Sequence, residues 1–344
     1  MKAIVKTRPE FGVEVRDVEK PVVGENDILI RILAGSVCGS DVHIYEWTAG
    51  YEWMPFPVIP GHEFAGEVVE IGDRISSVSI GDRITAVPSM PCSECEACRT
   101  GRVDECKDRY NIGMRKNGAF AEYMLIKGSA EILKIPDNVP IETASMTEPL
   151  VVALHGIDLS GFRAGQTAAV FGPGPIGLLT IQLLKAAGAS LIIATGTNAD
   201  SRRLEIAKQL GADVVINVNE EDPVKSIRKM YGFLDYVFEA TGVPQTISQG
   251  LQIIKRGGKV MVAGIHEGEA SFNPLDLVRR QKSLIGVYNY TKTTWQRALA
   301  LMAGNRIDIN PIITHRIPFS RGVEGFELAL NKTAAKVIFV PESE

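Results

Sequence analysis

Four of the five cysteines in this sequence fall in one short stretch, Cys92-x-x-Cys95-x-x-Cys98 followed by seven residues and Cys106, while Cys38 stands alone. Four thiolates this close can complete a tetrahedral shell, and an all-sulfur shell leaves no position open to a substrate. The spacing therefore reads first as structural zinc, with an iron–sulfur cluster, a disulfide or unligated cysteines as the alternatives. The segment from Met1 to Glu10 alternates charged and apolar residues without the apolar stretch of an export signal. Clustered cysteines in such a context favour metal over disulfides and a cytoplasmic protein.

A length of 344 residues exceeds what one core usually fills, so two units are expected. With 37 basic against 41 acidic residues and no basic block, nothing draws the chain to nucleic acid or to anionic lipid. Residues 168–184 carry no charge, but Gly172-Pro173-Gly174-Pro175 would break a membrane helix near its start. The stretch reads instead as strand, turn and helix, and no membrane partner is expected.

Up to about residue 150 the chain has short alternating or apolar runs, such as 28–33 and 64–71, bounded by Gly, Asp, Asn and Pro. These are strand signatures and predict a barrel-like antiparallel unit. From 166 to 287 six short apolar strands (168–171, 191–194, 214–216, 236–238, 259–263 and 284–287) alternate with helical stretches at 178–187 and 202–210. That alternation predicts an α/β unit with a doubly wound parallel sheet. Beyond 289 come helix candidates at 295–302 and 323–330 and a last strand at 336–340. The expected division is 1–150 completed by 289–344, and 151–288.

Cys38 alone would ordinarily be a small buried hydrophobe. It opens Cys38-Gly39-Ser40-Asp41-Val42-His43, however, and Gly61-His62-Glu63 and Glu148-Pro149 supply an imidazole and two carboxylates further on. Sulfur, nitrogen and oxygen ligands with an open fourth position are what catalytic zinc requires, although His62 and Glu63 also fit a surface pair. The run Gly172-Pro173-Gly174-Pro175-Ile176-Gly177 follows an apolar strand and opens a helix near Leu178. In that context glycines let backbone approach a dinucleotide pyrophosphate. Nineteen residues after Gly177, where an NAD site would place an acid, stands Gly196. Thr197, Ser201, Arg202 and Arg203 can hold a 2′-phosphate, which favours NADP, whereas Asp200 folded back would favour NAD. Gly264 and Ile265, after a later strand, complete the expected cofactor contacts.

With these pieces in order, the chain resembles the zinc-containing medium-chain alcohol dehydrogenases over nearly its whole length. Residues 148–155 and 286–290 are similar to sorbitol-type polyol dehydrogenases, with Asn289 departing from the arginine of the sorbitol enzymes. Residues 43–47 and 311–316 are similar to L-threonine 3-dehydrogenase. The resemblance implies a GroES-like catalytic domain and a Rossmann domain. It also implies two zinc ions per chain: a catalytic ion on Cys38, His62 and Glu63, and a structural one on the four clustered cysteines. Glu148 is either a fourth ligand or the holder of the zinc-bound water. The implied reaction is reversible oxidation of a secondary alcohol in a polyol or sugar derivative, with L-threonine as the alternative substrate. Zinc lowers the pKa of the hydroxyl, hydride passes to NAD or NADP, and the proton leaves through Ser40 and His43. A homotetramer or dimer is implied as well. A catalytically silent dinucleotide-binding relative is the reading from another class. His155, His266 and His315, outside any ligand spacing, are expected to be structural, and Tyr45, Trp47, Tyr51 and Trp53 to line a pocket or a core.

Overall fold

Asp27–Ser36 is an almost unbroken apolar run, and it becomes the central strand of a seven-stranded sheet. Across that sheet the order is Ile313–Pro318, Lys336–Val340, Asp27–Ser36, Glu63–Ile71, Arg83–Ala86 and Ile132–Lys134, with Tyr123–Lys127 also pairing the long strand. The ladders are antiparallel apart from the first pair. Two register shifts between Asp27–Ser36 and Glu63–Ile71 bend the sheet around Ile28, Ile30, Phe64, Val68, Phe120 and Phe339. The same ladder pairs Ser36 with Glu63, so the residues that follow the first strand meet those that open the second.

The other sheet is parallel throughout and has six strands, ordered Val214–Asn217, Leu191–Gly196, Thr167–Phe171, Leu234–Glu239, Ile254–Val262 and Ser283–Gly286. All six were predicted from the sequence, four with shorter limits, while 259–263 runs one residue past the observed end and 284–287 is shifted by one. The winding direction reverses between Thr167–Phe171 and Leu234–Glu239, which creates a topological switch point at their carboxyl ends. The helix after the glycine turn runs Pro175–Ala186 and so begins earlier than expected. Proline is tolerated at the first helical position because its missing N–H would have had no partner there.

This computed structural model describes residues 1–342. They separate into residues 1–148 with the segment from Ile313 onward, and Pro149–Ile312. The first boundary lies near the expected one, but residues 289–312 cluster with the parallel-sheet unit rather than with the first. Specific contacts account for that. Arg297 pairs bidentately with Asp158 at 2.6 and 2.9 Å, and Trp295 of the helix Lys292–Ala303 is fully buried. The buried Gln182 amide bridges Asp308, donating to its carbonyl at 2.8 Å and accepting from its N–H at 2.7 Å. Among the described residues no helix is long and apolar enough to cross a membrane.

Replacing Gln182 by leucine strands both Asp308 groups, and the variant is expected to lose about 1–3 kcal/mol in denaturant unfolding. Unchanged stability would show that the bridge does not hold this segment.

Candidate functional site

Cys38 caps the N-terminus of the helix Gly39–Glu46, just past the end of Asp27–Ser36. Gly61 precedes His62 with φ +95, and a Cβ there would lie 2.5 Å from the Phe120 ring, so the turn that presents His62 needs glycine twice over. Glu63 then opens its strand opposite Ser36. These elements bring the ligand atoms of Cys38, His62 and Glu63 within 4.8 Å of one another.

Each ligand is held from behind. The Glu63 and Lys336 side chains are 1% and 2% exposed, and the Lys336 ammonium pairs with Glu63 Oε2 at 2.5 Å. Ser36 Oγ donates to the same oxygen. Glu63 Oε1 is buried and has no hydrogen-bond partner among the described residues. A buried carboxylate oxygen without a partner is costly, and a metal ion beside Cys38 and His62 would satisfy it. Fully buried Asp41 accepts from the Cys38 N–H at 3.0 Å, and its other oxygen lies 3.6 Å from His62 Nδ1. With Nδ1 beside Asp41, Nε2 of His62 would be the atom to hold a metal, and the carboxylate would orient the ring. Burial opposes charge on His62, but Asp41 and the Cys38 sulfur outweigh it and raise the pKa well above 6.5, so a metal must displace a proton here.

Glu148 stands in the first turn of the helix Thr147–Ser160 and is not among the three residues whose ligand atoms converge. Burial pushes its pKa up to about 7; His62 lowers it and Glu63 raises it, so its carboxyl senses the site's charges. Ser40 is half-buried on the helix that Cys38 caps, and His43 Nδ1 lies 3.3 Å from Thr48 Oγ1.

The second cluster is tighter. The sulfurs of Cys92, Cys95, Cys98 and Cys106 lie within 4.8 Å of one another, with Cys92–Cys98 at 3.9 Å and Cys95–Cys98 at 3.5 Å, and none is in a disulfide. Tetrahedral zinc with bonds of about 2.3 Å separates its sulfurs by about 3.8 Å, so the donor set and spacing fit. Backbone N–H groups of Glu94 and Cys95 lower the Cys92 thiol to about 7, toward the thiolate a metal needs.

The glycine turn is as close-packed as its sequence demands. A Cβ on Gly177 would lie 1.9 Å from the Gly172 carbonyl, and one on Gly172 would lie 2.9 Å from Ala240 O. Gly174 caps the helix whose first residues are Pro175 and Ile176. A Cβ on Gly196 would lie 3.0 Å from Pro173 Cγ and 3.1 Å from Asp200 Cβ, which is tight for any side chain. Asp200 does not reach outward: Thr197 donates to it from N–H and hydroxyl at 3.1 and 2.7 Å, and Arg203 pairs with it at 3.3 Å. Arg203 is thereby tied into the loop, whereas Arg202 and Thr197 are exposed. Gly264 packs against the Gly242 turn, and Ile265 beside it is 61% exposed.

Of the aromatic set only Trp47 and Tyr51 stay together, both against the Ile44, Met54 and Val58 cluster. Tyr45 is core, stacked on Phe326 with centroids 5.0 Å apart. Trp47 packs edge-on against Phe56, and Trp53 is exposed under Arg115. The sequence reading missed Ser36, Asp41 and Lys336. Asp41 had a local signal, the position three residues after Cys38 from which it caps the helix N-terminus; Lys336 had none.

Two family models match the chain: an alcohol dehydrogenase GroES-like domain over residues 24–137 and a zinc-binding dehydrogenase domain over 175–304. L-threonine 3-dehydrogenase of Pyrococcus furiosus is 37% identical over 99% of this chain and 98% of its own length. Among solved structures, a zinc-binding dehydrogenase from Sinorhizobium meliloti 1021 with NADP bound is 32% identical with a TM-score of 0.91. 2R,3R-butanediol dehydrogenase from Bacillus subtilis is 29% identical with a TM-score of 0.89, and in both comparisons 99% of each chain is covered. The chain belongs to the zinc-containing medium-chain dehydrogenases. It is accordingly a zinc-dependent, NAD(P)-linked oxidoreductase acting on CH–OH groups.

Replacing Lys336 by methionine removes the cation that fixes Glu63. Chelator competition is expected to show catalytic-site zinc bound about 10-fold or more weakly, with the four-cysteine site unaffected. Equal affinity at both sites would show that Lys336 is only a strand residue.

Proposed function

We propose that this protein interconverts a secondary alcohol of a polyol or sugar derivative and the corresponding ketone, with NADP preferred over NAD. One observation carries the reading of the site: Glu63 Oε1 is orphaned and buried beside Cys38 and His62, while its partner oxygen is locked by Lys336 and Ser36. Cys38, His62 and Glu63 would hold zinc, which supplies Lewis acidity toward the alcohol hydroxyl. Three ligands leave a position for that oxygen. Glu148, with its pKa near 7, holds or releases a proton beside that position at working pH. Ser40 takes the hydroxyl proton and His43, steadied by Thr48, passes it on.

On the cofactor side, Gly172, Gly174, Pro175, Ile176 and Gly177 form the pyrophosphate cradle at the helix N-terminus. Gly196, Thr197 and Arg202 face the adenine ribose, with Arg203 in support through Asp200. The missing acid at Gly196, the tight space there and the inward commitment of Asp200 favour the 2′-phosphate. Gly264 and Ile265 line the nicotinamide end. The chain works in the cytoplasm as a homo-oligomer that covers the edge strand Ser283–Gly286, where Leu284 is 36% exposed. Oxidation of L-threonine is the second reading, favoured by the name of the 37% identical relative.

Reduction of NAD and NADP by the zinc-loaded protein, measured with polyols, simple secondary alcohols and L-threonine, tests the proposal. Fastest turnover is expected with a polyol and NADP; preference for threonine would select the second reading, and preference for NAD would overturn the ribose-loop argument. Ser40→Ala is expected to lower kcat about 100-fold with zinc content unchanged, and full turnover would remove Ser40 from the proton path.

A further inference from the structure

Glu239 ends the strand Leu234–Glu239 at the switch point of the parallel sheet, and it is fully buried. Its neighbour across the ladder is Phe171, the residue before the glycine turn. Burying a carboxylate requires partners. Oε1 has them: the Thr241 N–H at 2.7 Å, the Thr241 hydroxyl, and Thr246 Oγ1 at 3.0 Å. Oε2 has none of these. It faces Nε2 of His266 at 3.1 Å, and neither atom makes a hydrogen bond of good geometry among the described residues.

The other face of His266 fixes where its protons lie. Nδ1 is 2.8 Å from the Gly264 carbonyl, which only accepts, so Nδ1 carries a proton. Glu239 and His266 thus form one buried polar unit, joined by the 3.1 Å contact between Oε2 and Nε2.

That unit fastens one loop to another. Ala263 N–H and Gly264 N–H donate to the Glu239 carbonyl at 2.8 and 3.1 Å, so backbone and side chain of Glu239 both grip residues 263–266. A Cβ on Gly264 would lie 2.4 Å from Gly242 N, one on Gly242 would lie 2.5 Å from Ile265 O, and one on Gly172 would lie 2.9 Å from both Ala240 O and Thr241 Cγ2. The glycine turn, the Thr241–Gly242 turn and the Gly264–His266 loop thus pack with no room for a methyl group. A shift in one must be taken up by the next.

We propose that Glu239 and His266 are positioning residues that clasp the Gly264–Ile265 loop against the glycine turn and so set the affinity for the dinucleotide. The inference rests on the assignment of that loop and turn to NAD(P), and it adds two residues that do not themselves touch the cofactor. Neither carries a local sequence signal, since they are 27 residues apart in strands and loops of ordinary composition.

The test is titration of zinc-loaded protein with NADP and with NAD, followed by intrinsic fluorescence and by calorimetry. Glu239→Gln keeps the shape of the side chain and places an amide group against His266 Nε2, and it is expected to keep the Kd within about twofold. The double variant Glu239→Gln, His266→Leu removes the clasp without leaving a buried unpaired charge; with its fold verified by circular dichroism, its Kd is expected to rise about tenfold. A double variant that binds as tightly as wild type, or one weakened no more than Glu239→Gln alone, would overturn the inference. Failure of the wild-type protein to bind either dinucleotide would instead overturn the cofactor assignment on which it rests.

Discussion

A carboxylate removed from water must find a cation, a proton or a metal, and Glu63 has a cation on one side and two potential metal ligands on the other. Lys336 and Ser36 take one oxygen, and the other is turned toward Cys38 and His62. The consequence is architectural. Lys336 opens the last strand, which pairs with Asp27–Ser36, so the C-terminal segment is part of the metal site although it lies far from it in sequence. Asp41 does a similar job for His62, and the Cys38 N–H that it accepts ties these two ligands to one helix start. A breakable ion pair would be a poor source of stability, but here it aims an oxygen.

The nucleotide-binding half is governed by a different constraint, the absence of side-chain volume. Gly172, Gly177, Gly196, Gly242 and Gly264 each leave space that neighbouring backbone or side-chain atoms fill. The same close packing leaves little room for an acidic side chain at Gly196. Arg203, which looks like a phosphate ligand in the sequence, is committed to Asp200, and the exposed positive charge of that loop falls to Arg202.

What the sequence disclosed was local. The four-cysteine spacing, the glycine turn after an apolar strand, and the six alternating strands all depend on residues within one or two elements, and all six strands form. The final strand, read as 336–340, has those limits. What it concealed was long-range. The Glu63–Lys336 pair, the Gln182–Asp308 bridge and the Glu239–His266 contact join residues separated by whole elements, with no periodicity to announce them. The assignment of 289–312 failed for that reason, because Arg297 and Trp295 reveal their partners only in the folded chain. The aromatic run 45–53 misled in another way: hydrophobic content marks burial, but Tyr45 turns to the core while Trp53 turns to solvent.

The central claim is that this chain builds two unlike zinc sites, one closed by sulfur and one open and mixed. X-ray absorption at the zinc edge tests it most directly, because all five cysteine sulfurs are then shared between two ions. Two zinc ions per chain are expected, with sulfur and lighter N/O scatterers in comparable numbers in the first shell. A single zinc surrounded by sulfur alone would contradict it.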